Sequence, residues 1–460
     1  MISLKHRVFE FLKVNIAQNM LSSIAQNGFH KLIFLKKHLR SCILSPEPSQ
    51  ISKGGFTMWD KQIAVDQVKA ITFKGKIFFG VGAINAFENI AEELKNEGIE
   101  KFLIVTGKNA YISSGAWEVI ESTLLAKGLK FSLYDGVMPN PTVEQVDTAV
   151  AMGRSIGAQA VIGIGGGSAI DAAKSAAIMM KYPERKCADL YEYTFTPTEA
   201  LPIIAVNLTH GTGTECNRFA VVSIPEKNYK PAIAYDLIYP RYAIDDPALM
   251  QGLSLAQTRY VSIDAMNHVI EAATSRSANP LSIQLAAETI RLVTEYLPLA
   301  EKDPNDLRAR YFLAYAALIA GWSFDNGLLH YTHALEHPLS AVQPKLAHGL
   351  GLAMLLPAVV ENIWRECGPL LAQLFAPFAP GLDGSPEGAA KGAKAVQKFL
   401  CAHGVSEKLS DLGFTEDDVP VLTELAMNTP SLGGLLDQAP TFADRVAINA
   451  IYLNSMTMNP

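Results

Sequence analysis

The sequence predicts an α/β domain with a parallel sheet, followed by an all-helical domain. From about residue 71 to residue 247, short apolar runs alternate with longer amphipathic stretches, as in strand–helix–strand folds. The runs are almost continuously apolar, which is typical of parallel strands covered on both faces. Residues 254–360 are rich in Ala and Leu at helical spacing, with Gly and Pro mainly between segments. The predicted divisions are an N-terminal extension (1–57), an α/β domain (58–247) and a helical domain (248–460).

The elements of the α/β domain are predicted in chain order from this alternation. Helical patterns lie at Phe87–Glu97 and Val143–Ile156. The pattern changes after Asp245-Asp246-Pro247, which places the boundary between the two domains. The candidate strands are Ile77–Gly80, Lys101–Thr106, Phe131–Tyr134, Ala160–Gly165 and Ile203–Val206.

The first 57 residues differ from the rest, because they carry eight Lys and Arg against two Glu. The stretch Phe29–Arg40 has the pattern of a short basic amphipathic helix, which is sometimes a membrane-surface or import signal. The segment Ser45–Gly55 resembles a linker. We therefore favour a tail, or a true start at Met58, over a targeting signal.

Composition excludes several classes of protein. The net charge of −6 over 460 residues argues against a general nucleic-acid binder, whose domain would be basic. The five cysteines are scattered without a CxxC pair, which predicts neither a disulfide framework nor a thiolate zinc site and fits a reducing cytoplasm. The sequence contains no uninterrupted run of 18 apolar residues, so it predicts no transmembrane helix.

A glycine-rich turn is the clearest local signal. The apolar run Ala160–Gly165 leads into Gly166 and Gly167, and Ser168 then occupies the expected N-cap of a helix. Glycines let the backbone approach a phosphate, and the helix N-terminus offers free N–H groups. The pattern is neither GxGxxG nor a Walker A loop, and a ligand-free turn fits it equally well.

A second loop, Asn207–Glu215, also follows an apolar run and carries the hydroxyls of Thr209, Thr212 and Thr214. Ligands of open α/β sheets bind beyond the carboxyl ends of the strands. We therefore expect the two loops to face each other across one crevice.

The helical domain contains a cluster of histidines. Asp264 and His268 are four residues apart on one predicted helical face, and His330, His333, His337 and His348 follow. One Asp with three His suits a divalent transition metal with room for substrate, and these ligands fit iron(II) and zinc alike. Any one of these histidines alone would more often be an ordinary buried imidazole. Pro338 disfavours a helical conformation at His337 and weakens the expectation that His333 and His337 share a face.

On these motifs the sequence resembles the iron-dependent, or group III, alcohol dehydrogenase family, from about Lys74 to at least Val360. The resemblance rests on the combination of motifs and their order. These motifs are Pro139–Thr142, Gly165–Ser168 with Asp171 and Lys174, Thr209–Glu215, Lys230, Leu237–Pro240 with Asp246-Pro247, Asp264 with His268, Phe324–Asn326, His333–His337, and His348-Gly349.

The resemblance implies a dehydroquinate synthase-like architecture, with a dinucleotide-binding α/β domain, a metal-binding helical domain and the active site between them. The implied activity is that of an NAD(P)-linked alcohol dehydrogenase or aldehyde reductase, with hydride transfer between a metal-bound alkoxide or carbonyl and nicotinamide. The implied metal is Fe²⁺, with Zn²⁺ or another divalent ion as alternatives. The partners are a small alcohol or aldehyde and a second copy of the chain, in a homodimer or larger assembly. A cytoplasmic location without nucleic-acid or membrane partners is expected.

The resemblance also assigns residues. His337 would relay a proton near the nicotinamide without binding the metal, a role suited to an imidazole that titrates near neutrality. The implied metal ligands are Asp264, His268, His333 and His348. The implied cofactor contacts are Gly107, Lys108, Gly165, Gly166, Gly167, Ser168, Asp171, Thr209, Thr212, Thr214 and Lys230.

Three departures from the family pattern matter. Many NAD-preferring relatives carry an Asp where Gly107 stands, and Lys108 could attract a 2′-phosphate, so we expect a preference for NADP(H) over NAD(H). His210 replaces a usual alanine, and the step from His337 to His348 is one residue longer than in many relatives.

Alternative functions are a glycerol dehydrogenase, a dehydroquinate synthase-like enzyme, or a non-catalytic nucleotide-binding relative.

Overall fold

Six parallel strands form the central sheet of the N-terminal half in a computed structural model that describes residues 72–457. The order across the sheet is β1-β8-β5-β4-β2-β3, and every neighbouring pair is parallel. Strands β6 and β7 form a separate antiparallel pair. The strands are β1 (Lys76–Phe79), β2 (Lys101–Thr106), β3 (Lys130–Tyr134), β4 (Ala160–Gly165), β5 (Ile203–Asn207), β6 (Phe219–Val221), β7 (Ala232–Ala234) and β8 (Tyr242–Asp245).

The register brings three strand ends to one edge of the sheet. Thr106 of β2 pairs with Ile164 of β4, and Gly165 at the end of β4 pairs with Asn207 of β5. The loops after β2, β4 and β5 therefore leave the sheet side by side. Both faces of the sheet are buried under apolar side chains, which explains the nearly continuous apolar strands.

Helices cover the sheet, and their ends follow local sequence signals. Helix α4 begins after Thr142, which forms a capping box with Gln145, and ends at Gly157 in the left-handed conformation (φ 63°). The helices of this half are α1 (Phe87–Asn96), α2 (Ala110–Ser113), α3 (Ala116–Ala126), α4 (Val143–Ile156), α5 (Gly167–Met179) and α6 (Cys187–Tyr191).

The C-terminal half of the described chain is helical around one large apolar cluster. Helix α7 begins after Ser254, whose hydroxyl accepts the N–H of Gln257. Its helices are α7 (Leu255–Thr274), α8 (Pro280–Lys302), α9 (Leu307–Gly327), α10 (Tyr331–Val342), α11 (His348–Leu374), α12 (Ala389–Ala402), α13 (Val419–Asn428), α14 (Leu432–Leu436) and α15 (Arg445–Asn454).

The parallel α/β half and the helical half confirm the predicted fold class. The expected boundary after Pro247 falls between β8 and α7, and the domain limits stay a prediction. The extension 1–57, with its expected basic helix, lies outside the described residues. Within residues 72–457 no single helix is long and apolar enough to cross a membrane; the pair α9 and α10, bent by 107°, passes that test only when taken together.

Candidate active site

Three helices bring the predicted metal ligands to one point. Asp264 and His268 lie one turn apart on α7, His333 lies on α10 and His348 is the first residue of α11. From Asp264 Oδ1, the Nε2 atoms of His268, His333 and His348 are 3.4, 3.7 and 3.9 Å away. Ligand atoms of Asp264, His333 and His348 lie within 4.8 Å of one another. The structure thus brings Asp264, His333 and His348 together around one position, and places His268 Nε2 beside the Asp264 carboxylate.

The chemistry of this cluster fits a divalent transition metal. Asp264 Oδ1 and His333 Nε2 are buried and have no hydrogen-bond partner among the described residues. Leaving such atoms unpartnered costs about 1–3 kcal/mol each, and a cation at this point would satisfy both. One carboxylate and three imidazoles are ligands that iron(II) and zinc accept.

The charges agree with this fit. Burial alone would raise the pKa of Asp264, but the imidazoles of His268, His333 and His348 hold it at about 2. Burial lowers the pKa of His268 to about 4, so this ring is neutral at pH 7, the form that binds metals. Burial also opposes protonation of His333, yet Glu271 and Asp264 together raise its pKa to about 9. A cation would compensate the same negative charge as that proton.

Two buried glutamates that the sequence analysis missed contact the outer nitrogens of the ligand rings. Glu271 on α7 meets Nδ1 of His333 and accepts the backbone N–H of Thr332 at 2.6 Å, so it also caps the start of α10. Glu336 on α10 meets Nδ1 of His348. Metal-binding histidines commonly donate their second ring N–H to such a carboxylate. The spacing of Glu271, seven residues after Asp264 on the same helical face, was the available signal.

His268 is held by stacking. Its ring lies 4.7 Å from the His333 ring at an interplanar angle of 15°, and 4.5 Å from Phe324 at 26°. Its Nδ1 atom has no partner among the described residues. Phe324 in the Phe324–Asn326 motif therefore forms one wall of the metal site. His330 is separate from the cluster, because its Nε2 pairs with Thr274 Oγ1 at 2.9 Å.

His337 faces the same region from α10. The helix continues through Pro338, so the expected loss of helical conformation at His337 is wrong, and His333 and His337 share one face. His337 Nδ1 lies 2.8 Å from the carbonyl oxygen of Lys230. Burial, with the Lys230 ammonium, lowers the pKa of His337 well below 6.5. The expectation that this ring titrates near neutrality is therefore not met, and it is neutral at pH 7.

The two glycine-containing loops touch each other at the edge of the sheet. A Cβ atom on Gly166 would lie 2.7 Å from Thr209 Cγ2, and one on Gly167 would lie 2.6 Å from Thr212 Cγ2. Side chains at these glycines would therefore separate the loops. The two loops therefore lie side by side, and their binding of a cofactor stays a prediction.

The helix after β4 begins two residues earlier than predicted. Gly165 has a φ of +153°, and a Cβ there would lie 2.7 Å from Ala169 Cβ. Helix α5 begins at Gly167 with Gly166 as its extended N-cap, so Ser168 lies in the first turn and not at the N-cap. The flexible glycines allow the helix to begin early, and the first turn of α5 directly follows the carboxyl end of β4.

Asp171 and Thr214 are committed to contacts within the protein. Thr214 Oγ1 donates to Asp171 Oδ1 at 2.6 Å and accepts from the buried Lys174 Nζ at 2.8 Å. Asp171 Oδ2 accepts the N–H of Val221 at 2.9 Å. This network ties the threonine-rich loop to α5 and β6. Direct contact of Asp171 or Thr214 with a cofactor stays a prediction.

The remaining predicted cofactor residues lie at two separate places. Gly107 and the exposed Lys108 follow β2, beside the glycine turn. Lys230 is buried instead at the metal end, with Nζ 3.2 Å from Glu336 Oε2. His210, which replaces the usual alanine, is buried and pairs with Arg310 of the helical half, whose Nη1 lies 2.9 Å from His210 Nε2. Burial, with the Arg310 charge, lowers the pKa of His210 to about 3.

The α/β half carries two adjacent loops at the carboxyl ends of its strands, and the helical half carries a carboxylate–imidazole cluster. Together these features define the class of a metal-dependent dehydrogenase of two-domain architecture. The family model described as iron-containing alcohol dehydrogenase matches residues 74–247, and the model for the C-terminal part of the Fe-containing family matches residues 258–456. The chain belongs to the iron-containing alcohol dehydrogenase family. This confirms the resemblance, and the chain is an oxidoreductase that acts on alcohols.

Individual relatives agree with this family assignment. The chain is 54% identical over 398 residues to the long-chain primary alcohol dehydrogenase AdhA of Thermoanaerobacter ethanolicus, which covers 86% of this chain and 100% of that protein. The crystal structure of the archaeal Red Sea brine pool alcohol dehydrogenase ADH/D1 is similar with a TM-score of 0.80 and 27% identity, covering 85% of this chain and 99% of that one. The NADH-dependent butanol dehydrogenase A of Thermotoga maritima has a TM-score of 0.78, 28% identity and the same coverage. The alternative reactions considered above are not favoured by these matches.

Proposed function

We propose that this dehydrogenase interconverts a primary alcohol and its aldehyde at a divalent metal ion, with Fe²⁺ as the expected metal. The proposed ligands are Asp264, His268, His333 and His348. One observation carries the proposal: three Nε2 atoms lie within 3.9 Å of Asp264 Oδ1, which is buried and has no hydrogen-bond partner within residues 72–457. The relatives named for long-chain primary alcohols and for butanol support a primary alcohol as substrate.

The metal ligands, the glycine turn and His337 have different proposed roles in the reaction. A divalent cation at this point supplies Lewis-acid stabilisation of negative charge on the substrate oxygen, and the nicotinamide cofactor exchanges the hydride. The glycine backbone at Gly166 and Gly167 admits the phosphates of the cofactor. His337 donates Nδ1–H to the carbonyl of Lys230, which leaves Nε2 as the acceptor. We base a role for His337 in relaying the substrate proton on this acceptor Nε2.

The first test removes a ligand. His268→Ala should lose bound metal and turnover together, by more than about 100-fold, since losing a contact outside the ligand shell already costs about 10–100-fold. Metal analysis, steady-state kinetics and circular dichroism measure the two losses and the retained fold. His403→Ala, which removes a buried histidine bonded to Glu301, is the matched control. A His268→Ala enzyme with full metal content and activity would refute the site.

We also propose a preference for NADP(H). The end of β2 offers Gly107 in place of a carboxylate, and the exposed Lys108 adds a positive charge at the edge where the cofactor loops meet. A carboxylate there would repel a 2′-phosphate, whereas an ammonium attracts one. The butanol dehydrogenase relative is named as NADH-dependent, so the preference needs its own test.

The second test exchanges that charge. Gly107→Asp should raise the ratio of kcat/KM for NAD⁺ over NADP⁺ at least about tenfold, which corresponds to about 1.4 kcal/mol. Gly107→Ala is the steric control, because a Cβ at this position lies 3.1 Å from the carbonyl oxygen of Val137. A wild-type enzyme that favours NAD⁺, with a ratio that Gly107→Asp leaves unchanged, would contradict the preference.

We further propose a cytoplasmic location and a homodimer or larger assembly. The described cysteines support the location, because Cys187, Cys216, Cys367 and Cys401 are all free thiols. The assembly is supported by the family resemblance. Cell fractionation and size-exclusion chromatography with light scattering would test the two proposals.

A further inference from the structure

We propose that the buried ion pair of Lys230 and Glu336 is one positioning unit that orients two histidines together, His348 as a metal ligand and His337 as the proton acceptor. The inference rests on the metal site proposed above. It adds two residues outside the four proposed ligands, and it gives Lys230 a role distinct from contact with the cofactor.

Glu336 has every oxygen occupied inside the protein. It is fully buried on α10, between the ligand His333 and the acceptor His337. Its Oε2 meets Nδ1 of His348, and its Oε1 accepts the hydroxyl of Ser340. Two groups contact Nδ1 of His348: the Glu336 carboxylate, which is the nearer, and Lys230 Nζ at 3.4 Å. The nearer carboxylate favours the Nδ1–H tautomer, in which the lone pair of Nε2 faces the Asp264 side.

Lys230 connects this carboxylate to the second histidine. Its Nζ is buried and lies 3.2 Å from Glu336 Oε2, while its backbone carbonyl accepts Nδ1–H of His337 at 2.8 Å. The side chain and the main chain of one residue thus fix the two rings, whose centroids are 5.8 Å apart. Because Lys230 precedes β7, the same contact joins the α/β half to α10.

The pair is more than a packing contact, because removal of either partner leaves the other charge buried and uncompensated. A charged acceptor also makes the imidazole a stronger metal ligand than a neutral acceptor does. The positioning role therefore predicts a change at the metal itself, which ordinary destabilisation would not produce.

The test uses Co²⁺ as the probe metal. Glu336→Gln keeps the shape and an amide oxygen but removes the charge. It should weaken Co²⁺ binding by about 10–100-fold and change the visible absorption spectrum of the Co²⁺-loaded protein. The matched control is Glu301→Gln, which removes the carboxylate from a similar trio, with Arg259 Nε at 2.7 Å and His403 Nδ1 at 2.8 Å. It should leave Co²⁺ affinity and spectrum unchanged.

A double variant separates positioning from the cost of an unpaired charge. Lys230→Met combined with Glu336→Gln leaves no lone buried charge, so it should fold even where a single variant does not. It should still show the weakened Co²⁺ affinity and the altered spectrum. Wild-type affinity and spectrum in both Glu336 variants would overturn the inference.

A ligand variant distinguishes this failure from a failure of the proposed site. His348→Ala should abolish tight Co²⁺ binding. If it does so while the Glu336 variants bind as wild type, the ligand set stands and the positioning role is wrong. If His348→Ala itself retains wild-type affinity, the metal site proposed above is wrong.

Discussion

Buried carboxylates in this enzyme belong to two groups with opposite electrostatics. At the metal site, neighbouring imidazoles outweigh burial and hold the pKa of Asp264 and of Glu271 at about 2. Glu215 and Asp245 instead face each other below the threonine-rich loop. Burial, with the neighbouring carboxylate, raises the pKa of Glu215 well above its usual value, and burial raises that of Asp245 to about 7. The first group is charged and suited to cations, whereas burial favours the protonated form in the second group.

This pair predicts a pH dependence of stability. In the unfolded chain both carboxyls ionise near pH 4, whereas in the folded protein the pKa of Asp245 is raised to about 7 and that of Glu215 well above its usual value. The folded state therefore binds more protons above pH 4, so the free energy of unfolding falls as pH rises from 5 to 8. Glu215→Gln replaces the protonated carboxyl with a neutral amide. It should therefore stabilise the protein relative to wild type more at pH 8 than at pH 5, by about 1–3 kcal/mol.

Thermal unfolding of both proteins at the two pH values measures this difference. Glu226→Gln, at an exposed position in the same half, should show the same shift from wild type at pH 5 and at pH 8. A Glu215→Gln protein that loses more stability at pH 8 than at pH 5 would show that the carboxylate is charged and specifically solvated.

At the scale of elements, the apolar alternation predicted five of the six sheet strands and the extent of α4. It failed for β8, which lies between the edge strand β1 and β5. This strand has four residues and follows the turn-forming Tyr239-Pro240, so neither its length nor its neighbours distinguish it locally. Its position is determined by pairing with strands far away in sequence, which periodicity does not record.

Helix α10 shows why tertiary contacts override a local preference. Pro338 removes one backbone donor and disfavours helical conformation at His337, yet the helix is continuous. Its start is capped by the Glu271 carboxylate, and eleven of its twelve residues are buried. The ligand types and spacings were visible in the sequence. The roles of Glu271 and Glu336 were not, because they depend on how the rings turn once the helices pack.

For the whole molecule, the two halves make separate contributions that meet at Lys230 and at the threonine-rich loop. All four proposed ligands come from α7, α10 and α11, while the glycine turn and the threonines follow strands of the sheet. Metal and cofactor should therefore stabilise different parts of the chain. This division agrees with the two family models, which match residues 74–247 and 258–456 separately.

Removal of the metal should loosen only the helices that it joins. Without the cation, Asp264 Oδ1 and His333 Nε2 have no hydrogen-bond partner in the described part of the chain, so hydrogen–deuterium exchange should increase in α7, in α10 and in the first turn of α11. The strands β2, β4 and β5 should keep their protection. The melting temperature should fall and recover on addition of Fe²⁺, Zn²⁺ or Co²⁺, since a ligand at about 1,000 times its Kd contributes about 4 kcal/mol.

The oxidised cofactor, added to metal-free protein, provides the internal control. It should slow hydrogen–deuterium exchange in Gly165–Ser168 and Thr209–Glu215 while exchange in α10 stays fast. The reason is that these loops follow strands of the sheet and do not belong to the helical half. An increase in exchange spread evenly over both halves on chelation, or one confined to the sheet, would mean that the cation does not join α7, α10 and α11. The same result would remove the basis for assigning His348 and His333 to one ion.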